Sequence, residues 1–198
     1  MHPRLAFDIS WRRLLWAAFG ENAGERDIGL PENSVVGLSV RTLFDALLAE
    51  TALEAGAPVI LSGVNIANMP DIVRLHDLAP HPVDIATDTL LPSAERLLKA
   101  QTQTGARLCL IAHLFGARGP VDGVAELRRR GVLVVHDIAQ GFSRDMLDTP
   151  PDGDVTLLSF GPIKRRTALG GAIALFRDPA LAARVRARVD GYPALTDA

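Results

Sequence analysis

The sequence predicts an α/β fold with a mostly parallel sheet flanked by helices. Two observations carry this expectation. Short apolar runs bounded by Gly, Pro or polar residues recur along the chain, and segments of helical period separate them. Parallel strands need crossover connections, and those crossovers bury both sides of the sheet.

Taken in order, residues 1–35 read as an N-terminal arm. It holds a short amphipathic helix marked by Ile9, Leu14, Leu15 and Phe19, then a connection rich in Gly, Asn, Glu and Pro. Trp11 and Trp16 read as packing residues of that arm. Residues 36–198 read as one domain. Its predicted strands are Pro58 to Leu61, Pro82 to Ala86, Arg107 to Ala112, Val132 to Val135, Val155 to Phe160 and Ala172 to Phe176. Its predicted helices are Arg41 to Ala55, Pro70 to Leu78, Pro92 to Gln103, Val121 to Arg130 and Pro179 to Val189. The first has Leu43, Phe44, Leu47 and Leu48 on one face and Ser39 placed as an N-cap.

Composition narrows the function classes. The 198 residues are 48% hydrophobic and 22% charged, as in an ordinary globular protein. The formal charge of −2, with 21 basic residues spread along the chain, makes no basic stripe for nucleic acid. No stretch reaches the length of a membrane span, and Asp8, Arg12 and Arg13 interrupt the N-terminal apolar run. The single cysteine, Cys109, lies inside an apolar run and reads as a small buried hydrophobe, which points to a cytoplasmic setting. The reading asks for no metal ion.

In parallel sheets ligands lie beyond the carboxyl ends of the strands. Two chemistry-bearing residues fall at or just past such ends: Asp137 closes one apolar run, and Lys164 follows another in Ser159-Phe160-Gly161-Pro162-Ile163-Lys164. A lysine amine can condense with the aldehyde of pyridoxal phosphate, and a carboxylate can keep the pyridine nitrogen protonated so that the ring accepts electrons. Each residue has a plainer reading. Taken alone, an acid at a strand end caps the next helix, and Lys164-Arg165-Arg166 is an exposed basic loop.

The wording of the motifs goes further. His136-Asp137-Ile138-Ala139-Gln140, then Ser159 to Lys164, then Gly170-Gly171 leading into an apolar run, resembles the DegT/StrS-type sugar aminotransferases, fold-type I pyridoxal phosphate enzymes. The similarity covers roughly residues 35–189. It implies the large domain of that fold, without the small C-terminal domain that closes the site in longer members. It also implies pyridoxal 5'-phosphate as cofactor, an amino acid donor, and a keto sugar or related acceptor. Lys164 and Asp137 become catalytic. Gln140 lies near the ring and its phenolic oxygen, Ser159 donates to the phosphate, and Ser39, Val40 and Arg41 offer a second phosphate contact at a helix N-terminus.

The sequence departs from the pattern at three places. His136 stands where the family has an acid, Val40 where it commonly has glycine, and Val64, Asn65 and Ile66 where many members carry an aromatic residue stacked on the ring. Val64 is therefore an aliphatic stacking candidate. Ala112 to Gly116 resembles the family's His-Leu-Tyr-Gly turn, but His113 on its own reads as structural more often than as a ligand contact. Gly170 and Gly171 read as places of close backbone approach. The resemblance implies a homodimer or a partner subunit that completes the site. The rival reading is a non-catalytic relative that keeps the large domain for assembly. A nicotinamide-binding domain finds no glycine-rich fingerprint after an early strand.

Overall fold

The computed structural model describes residues 29–116, 121–164, 168 and 170–193. The helix expected between Ile9 and Phe19, with Trp11 and Trp16, lies outside the described residues. The strands are β1 (Ser34–Gly37), β2 (Pro58–Ser62), β3 (Ala79–Val83), β4 (Leu108–Ala112), β5 (Leu133–Asp137), β6 (Val155–Ser159) and β7 (Ala172–Phe176). The helices are α1 (Val40–Glu50), α2 (Asn68–Leu75), α3 (Ala94–Thr104), α4 (Val124–Arg129), α5 (Asp145–Asp148) and α6 (Pro179–Asp190).

The strands form one sheet in the order β1-β7-β6-β5-β4-β2-β3. β7 is antiparallel to both neighbours, while every other adjacent pair is parallel. Six strands therefore end at the same edge. Side chains alternate across the sheet, and the two faces fill separately. Val59, Leu110, Val135, Leu157 and Ala174 meet Leu43, Phe44 and Leu47 of α1. Ile60, Cys109, Ile111 and Val134 meet Leu97 of α3 and Leu127 of α4. Each such side chain fully withdrawn from water contributes roughly 1.5–3 kcal/mol of gross hydrophobic stabilisation. Cys109 is buried as its sequence context suggests, and burial pushes its thiol up to about 12.

Several boundaries differ from the sequence expectation, each for a local reason. β1 is four residues long, too short to show a period, and is held by its antiparallel register with β7. The strand expected at Pro82 to Ala86 is instead Ala79–Val83, set by pairing Pro58 with Ala79 through Ser62 with Val83. Beyond it, the Arg96 guanidinium takes the carbonyls of Asp84 and Ile85 at 3.4 and 3.0 Å, so they serve a side chain. β3 is an edge strand carrying Pro80 and Pro82. α1 stops at Glu50, because Thr51 turns to extended backbone at ψ 129° after its N–H makes the last bonds to Leu47 and Leu48. α4 starts only at Val124, since Gly123 before it sits at φ 90°. α5 is a single turn without a readable period.

The chain passes from β2 outward to β3 and then returns to β4 on the other side of β2. That reversal opens a crevice at the carboxyl ends of β2 and β4, the place where such sheets bind ligands.

Candidate active site

Hydrogen bonding aligns the strand ends. The Ala112 N–H, at the end of β4, donates to Ser62 Oγ, at the end of β2, at 3.0 Å. Ala112 is registered opposite Asp137, the last residue of β5. Farther along, Ser159 of β6 and Gly37 of β1 are both registered on Ala172 of β7. The edge therefore brings together Ser62, Asp137, Ser159 and the Gly37 turn into α1.

Alternation places Asp137 and Ser159 on the α1 face, because Val135 and Leu157 belong to that face. Asp137 is 7% exposed, and its Oδ1 accepts from the Ala139 N–H at 2.9 Å. Burial pushes its carboxyl above the usual range, while the Ala139 N–H and the positive charge of Lys164 pull it down. Lys164 and Asp137 are thus electrostatic neighbours, although Asp137 ends β5 and Lys164, itself partly buried, stands in the turn after β6, which is closed by Lys164 N–H to Gly161 carbonyl at 3.0 Å.

Gln140 Oε1 accepts from the Phe115 N–H at 2.8 Å. This fixes the amide orientation, so the Nε2 hydrogens are the ones left to meet a ligand oxygen. Phe115 itself lies in the left-handed region at φ 53° and is 81% exposed. A Cβ added at Gly161 would make only ordinary contact with Ser159 Oγ, at 3.8 Å.

At the start of α1, Ser39 Oγ accepts from the Thr42 N–H at 3.2 Å and lies 3.0 Å from Thr42 Oγ1. The N–H groups of Val40 and Arg41 have no carbonyl one turn back, which suits them to an anion. The Val40 side chain is buried in the α1 core, so it points away from any anion held by its amide. The exposed Arg41 guanidinium reaches Asn68 Oδ1 at 3.4 Å, bridging α1 to α2. Val64 and Ile66 are about half exposed in the loop after β2.

These residues fit a phosphorylated pyridine coenzyme. The strand ends present a buried carboxylate at Asp137, a partly buried hydroxyl at Ser159 and, after β1, the first amides of α1. Asn65 Nδ2, in the loop after β2, is buried without a hydrogen-bond partner among the described residues.

The sequence of 198 residues matches the DegT/DnrJ/EryC1/StrS aminotransferase family over residues 38–192. The chain belongs to that family. It is similar to the aminotransferase TlmJ from Streptoalloteichus hindustanus, at 27% identity and a TM-score of 0.65 over 78% of this chain and 43% of that one. DesV from S. venezuelae matches at 24% identity and a TM-score of 0.67 over 82% and 44%. NtdA from Bacillus subtilis, solved with bound cofactor PMP, matches at 22% and 0.66 over 77% and 35%. The fold is that of the large domain of these enzymes, and the chain spans less than half the length of each.

Two features were not read from the sequence. His113 is not on the Asp137 face: its Nε2 lies 2.9 Å from His136 Nδ1, on the α3 and α4 side of the sheet. With them, Val124, Ile138, Met146, Pro150 and others line a cavity of about 560 Å³ that includes neither Asp137 nor Lys164. Gly171 needs glycine for its φ of 86°, not for packing, since an added Cβ would meet only the Gly37 carbonyl at 3.8 Å. At Gly170 an added Cβ would meet nothing within 4 Å.

No helix among the described residues is long and apolar enough to cross a membrane, and no cluster of metal-ligating side chains occurs among them.

Proposed function

We propose that residues 36–198 bind pyridoxal 5'-phosphate at this edge and serve transfer of an amino group from an amino acid to a keto sugar or related keto compound. The observation that carries the reading is buried Asp137 at the end of β5 with Lys164, in the turn after β6, near enough for its charge to favour the carboxylate.

Bound there, the coenzyme would supply an aldehyde that captures an amine and a protonated pyridine ring that draws electrons from the substrate carbon. Asp137 holds the proton on the ring nitrogen, and its desolvated carboxylate makes a strong partner for that cation. Lys164 Nζ would hold the coenzyme at its aldehyde and would carry the proton to and from the substrate carbon as base and acid. Gln140 Nε2 donates to the phenolic oxygen. Ser39, Ser159 and the first amides of α1 hold the phosphate, and Val64 shields one side of the ring.

The exposed apolar side chains Leu38, Val64, Ile66, Phe115 and Ile163 ring the same edge. They support a homodimer or a partner subunit lying against it, which equilibrium sedimentation would measure. A non-catalytic relative that keeps the large domain for assembly is the second reading, favoured by Val40 at the position where the family commonly has glycine.

The deciding experiment adds pyridoxal 5'-phosphate to the purified chain. A visible band that borohydride removes, with the label fixed on Lys164 and no band in Lys164→Ala, supports the site. A folded wild type that stays colourless in excess coenzyme overturns it. Amino transfer from glutamate then separates the catalytic from the non-catalytic reading.

A further inference from the structure

The cavity lined by His113 and His136 takes no part in the chemistry described above, since neither Asp137 nor Lys164 lines it. Its volume of about 560 Å³ nevertheless falls within the roughly 300–1,000 Å³ of small-molecule sites.

Most of its wall is carbon. Val121, Val124 and Ala125 come from the start of α4 and the turn before it, Ile138 follows β5, and Met146 comes from α5. His136 has both ring nitrogens bonded, to His113 and to the Asp152 carbonyl, so it adds wall and not a free polar atom. Such a surface favours a ligand with an apolar body, which leaves water as it enters.

The charges on the wall are of one sign. Asp122, Asp145 and Asp152 line the cavity, and no lysine or arginine does among the described residues. Asp152 is already paired, at 3.1 Å from Arg128 Nη1 and 2.9 Å from Arg177 Nη2. The Asp122 carboxylate, exposed in the turn before α4, has no hydrogen-bond or ion-pair partner among the described residues. Carboxylates set on low-dielectric walls raise the local concentration of cations.

We propose that this cavity is a second ligand site, separate from the coenzyme edge, and that it takes a small organic amine. The apolar body of the amine lies against Val124, Ile138 and Met146, and its ammonium group pairs with Asp122. The proposal is independent of the coenzyme reading.

Titration calorimetry of the coenzyme-free chain tests it, with phenethylamine as the cationic probe and phenethyl alcohol as a neutral probe of similar size. The amine should bind more tightly than the alcohol, and added salt should weaken the amine alone. Methyl NMR should show the shifts at Val124, Ile138 and Met146. Asp122→Asn, which removes the charge from an exposed side chain, should raise the Kd of the amine roughly fivefold and leave that of the alcohol unchanged. Ala125→Trp, at an exposed position on the wall, should abolish binding of both probes without lowering Tm. Folded wild type that binds no amine, equal Kd values for amine and alcohol, methyl shifts confined to Val64 and Ile66 at the coenzyme edge, or binding indifferent to both substitutions would each overturn the proposal.

Discussion

His113 Nε2 and His136 Nδ1 share a 2.9 Å hydrogen bond directly behind the strand ends that present Asp137. The outer nitrogen of His136, Nε2, lies 3.0 Å from the Asp152 carbonyl, an obligate acceptor, so Nε2 carries the hydrogen and Nδ1 accepts from His113. The pair ties β4 to β5 and both to the turn before β6. The His113 backbone N–H adds a bond to the Asp137 carbonyl at 2.9 Å. The two rings thus brace the backbone that carries the candidate ring partner.

Gly153 leaves room for this pair. A Cβ there would stand 2.6 Å from His136 Cδ2 and 3.0 Å from Nε2, against a ring pinned at both nitrogens. Gly153→Ala should therefore destabilise the fold by about 1–3 kcal/mol, as overpacking does. Urea unfolding checks the loss, and adding His136→Ala should recover part of it, since the two changes share one contact.

The His136 imidazole is held below its ordinary value of 6.5, chiefly by burial, with Asp152 and Asp154 opposing. The unfolded chain therefore takes up the proton at higher pH than the folded one does. Stability from this group is present above about pH 6.5 and is lost as pH falls through the depressed value. His136→Gln should flatten the drop in Tm between pH 7 and 5. An unaltered slope would assign the acid sensitivity to other groups.

Asp137 behaves in the opposite sense. Its carboxyl is raised from 3.8 by burial, so the folded state keeps the proton to higher pH and stability falls as pH rises through that window. Without coenzyme, Asp137→Asn should melt no lower than wild type at pH 7. With coenzyme, wild type should gain more in Tm, and the variant should lose most of the transamination half-reaction. Equal rates for both proteins would remove Asp137 from the mechanism.

Ser39 combines two roles that substitution can separate. Ser39→Ala removes the cap on Thr42 and should cost about 0.5–2 kcal/mol in urea unfolding. Ser39→Asp keeps a capping oxygen but sets a charge against a bound phosphate. The Asp variant should stay close to wild type in stability while binding pyridoxal 5'-phosphate far more weakly. Equal binding by Ser39→Asp and wild type would place the phosphate elsewhere.

Much of the sheet was legible because its inner strands are buried on both faces and write themselves as unbroken apolar runs, as in Leu108–Ala112 and Ala172–Phe176. Asp137 and Lys164 stood out because they interrupt or follow such runs. β1 and α5 were not legible, since four residues carry no period. The His113 and His136 pair joins residues 23 positions apart through strand register. Its one trace in the sequence was a histidine where an acid was expected.

The prolines of β3 have a consequence for the molecule's fate among its own copies. The Ala79 N–H donates to the Ala57 carbonyl and the Val83 carbonyl accepts from the Gly63 N–H, so odd-numbered residues of the strand face inward to β2. Pro80 and Pro82 occupy the outward positions, where backbone N–H groups would otherwise form an open row of donors. A foreign strand approaching this border meets carbonyls and pyrrolidine rings, with nothing to complete a ladder. The sheet is thereby terminated by its own sequence, and stacking of copies into fibres through this border is blocked.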